Sequence, residues 1–197
     1  MTEQEKMLSG LPFDGMDSAL SEMRRRADEL CRAYNGTDDN SERLAILQSL
    51  LGGNCENVTF QGPLYFTYGK NSRFGEGFYA NFNLTVLDHG GVTVGKHVMF
   101  GPNCTLVTVN HPIHWEDRRV RTRLDGSSYD VETAAPIRIG DDCWLGAGVT
   151  VCPGVTIGEG TVIAAGSVVC TDIPQYVLAA GVPCRVLREI TEEDRLA

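Results

Sequence analysis

A histidine beside a proline is the first feature of this sequence that could do chemistry. His111 stands in the run Asn110-His111-Pro112-Ile113-His114. Because an unperturbed imidazole has a pKa of about 6.5, His111 could act as a general base near neutral pH. His111 and His114 could instead be two metal ligands, although structural zinc sites need more ligands at closer spacing. A histidine in a surface turn with no chemical role is the third interpretation.

On both sides of this segment the chain repeats every six residues. Consecutive hexads begin at Ile139, Leu145, Val151, Ile157, Ile163 and Val169, and the same frame recurs upstream from Tyr68 and, after a two-residue shift, from Val94. Twelve of the 22 glycines fall on the second or fourth position of a hexad, and Cys104 and Cys143 fall on the fifth. A period of six fits neither an amphipathic helix nor a long alternating strand. It predicts a mainly β solenoid, with three hexads closing each triangular coil.

The repeat stops between the hexads at Leu106 and Ile139. Residues 112–136 are polar and rich in arginine, and we expect them to form one long excursion loop. Function is often placed in loops that leave a solenoid. His111 lies where the coil ends and this loop begins.

Two helices are predicted before the solenoid. Apolar residues share one helical face over residues 17–35, with Asp17 as a candidate N-cap and Gly36 as a stop. A second helix is predicted over residues 41–51. We therefore expect an N-terminal helical region at 1–55, the β-helix at 56–190 and a charged C-terminal tail at 191–197 with one helical turn.

Composition excludes several classes of protein. The 197 residues carry 17 Lys and Arg against 26 Asp and Glu, a formal charge of −9 with no basic run, so a nucleic-acid or anionic-membrane binder is not expected. No apolar stretch approaches the roughly 18 residues of a membrane span, and no basic-then-apolar signal opens the chain. Seven cysteines without a C-x-x-C pair predict reduced thiols in the cytoplasm.

Three features together resemble a known family. These are the hexads, the segment at His111, and the runs Phe78-Tyr79-Ala80-Asn81-Phe82-Asn83 and Ala180-Gly181-Val182-Pro183-Cys184-Arg185-Val186. They resemble the galactoside/maltose O-acetyltransferases, which are hexapeptide-repeat acyltransferases with a left-handed parallel β-helix. The resemblance covers nearly the whole chain, including the two N-terminal helices.

The resemblance implies an acetyl-CoA-dependent O-acetyltransferase that acetylates a hydroxyl of a sugar or related small acceptor. It also implies a homotrimer, with acetyl-CoA in a groove between neighbouring subunits and no metal. His111 matches the catalytic base, and Asn81 matches a side chain that positions the acceptor and the acetyl group. The backbone N–H of Ala147 matches the donor to the developing oxyanion.

Further positions match the binding sites of the family. Acceptor-binding positions are Asp17, Arg24, Thr67, Tyr79, Asp88 and His89, and coenzyme-binding positions are Trp144, Ala147, Ala165, Cys170, Thr171, Arg185 and Arg188. Cys170 and Thr171 stand where the family often has Thr-Lys, and His89 stands where it has an acceptor-binding aspartate. The excursion loop is also several residues longer than in the galactoside enzymes. These departures concern the acceptor pocket and the coenzyme contact.

Other functions remain open at this point. The acceptor could be an antibiotic or an amino acid instead of a sugar. Some left-handed β-helices are zinc-dependent carbonic anhydrases, although the four histidines here do not have that spacing. A β-helical scaffold that binds partners without catalysis is the third alternative.

Overall fold

The computed structural model describes residues 1–53, 55 and 57–196. The predicted boundaries 1–55, 56–190 and 191–197 include residues 54, 56 and 197, which lie outside the described residues. These boundaries therefore stay predictions.

Parallel strands form a three-sided β-helix of about six turns, which confirms the predicted solenoid. Face 1 contains β1 (Thr59–Phe60), β4 (Tyr79–Ala80), β7 (Met99–Phe100), β14 (Trp144–Leu145), β17 (Val162–Ile163), β19 (Val177–Gly181) and the antiparallel β20 (Cys184–Glu189). Face 2 contains β2 (Leu64–Phe66), β5 (Leu84–Leu87), β8 (Thr105–Val107), β15 (Thr150–Val151) and β18 (Val168–Val169). Face 3 contains β3 (Ser72–Phe74), β6 (Val92–Val94), β13 (Ile137–Ile139) and β16 (Thr156–Ile157). The left-handed sense of the coil stays a prediction of the resemblance.

The aliphatic residue that opens each hexad points into the coil. On face 2, Val86, Leu106 and Val151 pair in register from coil to coil, and each is 0% exposed. The fifth-position thiols of Cys104 and Cys143 are buried as well, as predicted. Stacking equivalent positions gives one continuous core, which single short strands could not bury alone.

Three helices precede the coil: the second and third join its core at the first turn, and the first packs against the return of the excursion. They are α1 (Glu3–Leu8), α2 (Ser18–Gly36) and α3 (Asn40–Leu51), of which the first was not predicted. The side chain of Asp17 accepts from the backbone amides of Ala19 and Leu20 and so caps α2, as the sequence indicated. Buried residues of α2 and α3 join the same apolar core as the first coil, and the Tyr34 hydroxyl donates to the Phe60 carbonyl at 2.6 Å.

The excursion leaves the coil after β8 and returns at β13, with secondary structure of its own. β9 (Val109–Asn110) pairs antiparallel with β12 (Thr133–Ala134), and β10 (Arg121–Thr122) pairs with β11 (Ser128–Tyr129). These ladders satisfy backbone groups that a structureless loop would leave to solvent. A short 3₁₀ helix at Glu192–Asp194 confirms the predicted helical turn in the tail. No helix in the described ranges is both long and apolar enough to cross a membrane.

Candidate active site

The predicted site residues lie on two corners of the triangular coil. The corner between faces 2 and 3, here called the loop corner, contains residues 67–71, 88–91, 108–136, 152–155 and 170–172. The corner between faces 1 and 2, here called the turn corner, contains residues 81–83, 101–104, 146–149 and 164–167. His111 stands on the loop corner, whereas Asn81 and Ala147 stand on the turn corner. Within one chain, face 2 separates the candidate base from the candidate oxyanion donor.

His111 faces a carboxylate that sequence reasoning missed. Its Nδ1 lies 3.8 Å from Oε1 of Glu132, and its side chain is 57% exposed whereas that of Glu132 is 13% exposed. Burial, followed by the nearby charge of Asp130, raises the pKa of the Glu132 carboxyl. An acid at this distance can orient the imidazole and stabilise the imidazolium that forms on proton abstraction. The only sequence signal for Glu132 was its place near the return of the loop.

Residues of the N-terminal segment hold Glu132 in place. Phe13 and Glu132 form an antiparallel bridge in which each backbone N–H donates to the carbonyl of the other at 3.0 Å. Next to this bridge, Arg123 of the excursion donates to Oδ2 of Asp14 at 2.6 Å. Burial alone would raise the pKa of Asp14, but the bonds from Arg123 and from backbone amides outweigh it and lower that pKa. The loop is thus fastened to the N-terminal segment beside the candidate base.

A cavity of about 380 Å³ opens beside Glu132 on the loop corner. Among the predicted acceptor-binding residues, Arg24 and His89 line it. Thr67 is half-buried on the same corner, and Asp17 is the N-cap of α2. Tyr79, in contrast, lies on face 1. The structure therefore gathers part of the predicted acceptor set beside the candidate base and leaves Tyr79 on another face.

Asp88, another residue of the predicted acceptor set, is buried, and its acceptor-binding role stays a prediction. It is 0% exposed, and its oxygens accept from the Tyr68 backbone amide at 2.8 Å and the Ser72 hydroxyl at 3.0 Å. Burial raises the pKa of this carboxyl to about 6. Its neighbour His89 lines the cavity.

The turn corner presents polar groups suited to the reacting acetyl group. Asn81 is half-buried, and its Oδ1 accepts from the Phe82 amide at 2.8 Å, which leaves the Nδ2 donors for a ligand. Ala147 is exposed and its carbonyl accepts from the Gly166 amide at 2.8 Å. A backbone N–H at an exposed turn can face a developing oxyanion.

The predicted coenzyme-binding residues also divide between surfaces. Trp144 (51% exposed) and Ala165 lie on face 1 and the turn corner, whereas Cys170 and Thr171 lie on the loop corner. The exposed Cys170 has its Sγ 3.7 Å from that of Cys152 in the preceding coil.

The two predicted phosphate-binding arginines differ in the bonds that their guanidinium groups already form. Arg185 is exposed, and its Nη1 donates to the Cys184 carbonyl at 2.8 Å. Arg188 instead forms a forked ion pair with Asp194, at 2.7 and 2.6 Å, which lowers the pKa of that carboxyl to about 2. Arg188 would have to leave Asp194 before it could meet a phosphate.

Comparison with known proteins shows the family of this chain. Residues 6–53 match the maltose acetyltransferase hexapeptide capping motif, and residues 136–171 match the bacterial transferase hexapeptide with six repeats. The chain is 41% identical to the galactoside O-acetyltransferase of Escherichia coli K12, over 99% of this chain and 93% of that one. The chain belongs to the galactoside/maltose O-acetyltransferase family. The resemblance seen in the sequence is thereby confirmed, and the protein is an acetyltransferase.

Solved structures of this acetyltransferase family superpose on nearly the whole chain. A maltose O-acetyltransferase from Clostridium difficile 630 gives a TM-score of 0.86 at 39% identity, covering 98% of this chain and 99% of that one. A galactoside acetyltransferase in complex with coenzyme A gives 0.87 at 39% identity, covering 98% and 94%. Across the described ranges of this acetyltransferase, no group of three or more His, Cys, Asp or Glu side chains is placed to hold a metal ion.

Proposed function

We propose that this protein transfers the acetyl group of acetyl-CoA to a hydroxyl of a sugar or related small acceptor, with His111 as general base. The family supports the reaction class, and a relative of similar fold is a galactoside acetyltransferase that binds coenzyme A. The observation that carries the assignment of roles is the placement of His111 Nδ1 at 3.8 Å from Glu132, beside the polar cavity of the loop corner.

In this mechanism the acceptor hydroxyl attacks the thioester carbonyl carbon while His111 takes its proton. Glu132 holds the imidazole and offsets the charge that appears on it. The oxyanion of the tetrahedral intermediate accepts from the N–H of Ala147, and Asn81 positions the reacting groups. When the intermediate collapses, the C–S bond breaks and the imidazolium returns its proton to the leaving thiolate.

The two-corner arrangement supports a site shared between copies of the chain. Because face 2 separates His111 from Asn81 and Ala147 within one chain, the loop corner of one copy must meet the turn corner of another. Face 1 carries an apolar stripe in register, formed by Tyr79, Met99 and Trp144, of which the last two are 50% and 51% exposed. Such a stripe favours self-association, and a cyclic homotrimer gives three identical sites.

Coenzyme binding would use the groove between these copies. Trp144 and Ala165 would line it from one copy, and Cys170 and Thr171 from the other. Arg185 and, once released from Asp194, Arg188 would meet phosphates with charge-assisted hydrogen bonds. We place the protein in the cytoplasm, where its thiols stay reduced.

A screen of acceptors with acetyl-CoA tests this proposal. The panel contains mono- and disaccharides, amino acids and aminoglycosides, and the readout is release of free thiol. Sugars should release thiol, and the acetylated product should be an ester. Release with amino acids or aminoglycosides alone would favour the non-sugar acceptor. No release with any acceptor, together with no thermal shift by acetyl-CoA, would leave the non-catalytic scaffold as the better account.

A further inference from the structure

The cavity beside Glu132 has a marked excess of hydrogen-bond acceptors. Its walls come from the N-terminal segment, α2, the loop corner and the return of the excursion. The residues that matter for its chemistry are Gly15, Ser21, Arg24, His89, Asp130 and Glu132. Two of these are carboxylates, one is an imidazole, and one is a guanidinium.

The guanidinium of Arg24 is already engaged by the protein. Its Nη1 donates to the Tyr68 hydroxyl at 3.0 Å. Its Nη2 donates to the Gly15 carbonyl at 2.7 Å and to the Ser21 hydroxyl at 2.9 Å. Arg24 thus links several parts of the cavity wall, and most of its N–H donors already form hydrogen bonds within the protein.

In contrast, two hydrogen-bond acceptor atoms of the cavity have no donor among the described residues. Nδ1 of His89 and Oδ1 of Asp130 are buried atoms without a hydrogen-bond partner among the described residues. The His89 side chain is enclosed, since the residue is only 8% exposed and its ring lies against those of Phe13 and Tyr68. A buried polar atom without a partner costs free energy, so these atoms point to a ligand that supplies donors.

A glycine makes room for the two carboxylates. A Cβ on Gly15 would stand 2.8 Å from Oδ1 of Asp130 and 2.8 Å from Cδ of Glu132. Any larger residue at this position would push both side chains from the cavity wall. The backbone of the N-terminal segment is therefore shaped around the pair of acids.

We propose that this pocket selects acceptors that carry a cationic amino group near the hydroxyl to be acetylated, such as amino sugars. An ammonium has three donors and no acceptor, which complements Asp130 and Glu132 better than a neutral hydroxyl does. Its charge-assisted bonds to carboxylates are roughly twice as strong as neutral ones. A hydroxyl of the same ligand donates to His89, and an acidic sugar is repelled. This inference rests on the proposed function and names the acceptor class of that same site.

The ammonium stays protonated in the pocket and so is not the nucleophile. The bond that forms joins the acceptor hydroxyl oxygen to the acetyl carbon, and the bond that breaks is the thioester C–S bond. The proton passes through His111 to the coenzyme thiolate. The product is an O-acetyl ester that keeps its ammonium group.

Four methyl glycosides with one ring scaffold test the selection: the glucoside, the glucosaminide, the N-acetylglucosaminide and the glucuronide. We expect kcat/KM for the glucosaminide to exceed that for the glucoside by about 10-fold, with the glucuronide lowest. The glucosaminide product should be cleaved by hydroxylamine, as an ester is. Equal rates for the glucosaminide and the glucoside, or a hydroxylamine-stable amide product, would overturn the inference.

A matched pair of variants locates the effect in the pocket. Asp130→Asn should lower kcat/KM for the glucosaminide by about 10-fold more than kcat/KM for the glucoside, because only the charged ligand loses a charge-assisted bond. Asp125→Asn, in the same excursion but bonded to Ser127, should change neither. Equal losses on both glycosides in Asp130→Asn would contradict selection by charge.

Equilibrium binding separates this inference from the proposed function. Calorimetry should show that the wild-type protein binds the glucosaminide more tightly than the glucoside, and that Asp130→Asn removes the difference. That binding order without thiol release from acetyl-CoA would support the inference and overturn the proposed reaction. Thiol release without that binding order would support the proposed reaction and overturn the inference.

Discussion

Nδ1 of His111 lies 3.8 Å from Oε1 of Glu132, although the whole excursion loop separates the two residues along the chain. The contact exists because β9 pairs antiparallel with β12, with Asn110 opposite Thr133, so the return of the loop lies beside its start. The half-buried acid and the exposed imidazole together form the part of the site that one chain can build alone.

Removing the imidazole should remove most of the turnover. We expect His111→Ala to lower kcat by about 10²- to 10⁴-fold, the usual contribution of a positioned general base, with the KM for acetyl-CoA nearly unchanged. The control is His114→Ala, since the exposed His114 ring stacks on Trp115 at 4.1 Å in the same loop. Thiol release measures both variants. Wild-type turnover in His111→Ala would exclude it as the base.

Glu132 is a positioning residue, and a double-mutant cycle should show it. Glu132→Gln should lower kcat by about 10-fold, because the imidazolium loses about 1.4 kcal/mol of stabilisation. The double variant His111→Ala, Glu132→Gln should be no slower than His111→Ala, since residues that act as a unit are not additive. Additive losses would mean that Glu132 acts independently of the imidazole.

Asp88 and His89 should give opposite pH dependences of stability. Burial raises the pKa of Asp88 from 3.8 to about 6 and lowers that of His89 from 6.5 to about 4. As pH rises from 4 to 6, the folded state holds the Asp88 proton more tightly than the unfolded chain, so the free energy of unfolding falls. For His89 the unfolded chain holds the proton more tightly, so the free energy of unfolding rises.

Single variants should separate these two contributions. In His89→Gln only the Asp88 contribution remains. Relative to the wild-type trend, the free energy of unfolding should therefore fall by about 2 to 3 kcal/mol between pH 4 and pH 6.5. Asp88→Asn should show the reverse trend of similar size. Urea denaturation at several pH values measures both. The same slope in the wild type and both variants would contradict the assigned shifts.

The ion pair between Arg123 and Asp14 should affect the KM for the acceptor more than the KM for acetyl-CoA. Arg123→Ala removes one tie between the excursion and the N-terminal segment, so the KM for the acceptor should rise by about 3- to 10-fold. The matched control is Arg121→Ala, whose guanidinium pairs with Asp117 inside the loop at 2.7 Å. An equal rise of both KM values in Arg123→Ala would show a general loss of structure instead.

Gly101, on the turn corner, should not tolerate a side chain. A Cβ on Gly101 would stand 2.6 Å from the backbone nitrogen of Ala147, the candidate oxyanion donor. We expect Gly101→Ala to cost about 1 to 3 kcal/mol of stability and to lower kcat, because backbone atoms of the next coil must move. Gly36→Ala, with nothing within 4 Å of its Cβ, is the control. Thermal unfolding and thiol release of the two variants decide the point.

Local rules in the sequence were enough for the framework. The six-residue period predicted the coil, because each hexad repeats the same inward aliphatic residue and the same small residues at the corners. Asp17 predicted the start of α2, because an N-cap needs only its own side chain and the next few amides. The family motifs in the sequence also name candidate site residues, whose roles stay predictions.

Long-range packing decided the rest. Asp88 and His89 are neighbours just after β5, yet the first bonds to the Tyr68 amide and the Ser72 hydroxyl whereas the second lines the cavity. Glu132 and Asp130 carry no periodic signal; Glu132 reaches His111 because β9 pairs with β12, and Asp130 shares a cavity with Arg24 because the excursion also contacts the N-terminal segment. The sequence by itself determined the period of the coil, the helix caps and the residue types of the site, since these follow from neighbours along the chain. The tertiary structure decided which of those residues share a corner, because contacts between distant segments depend on how the loop folds back.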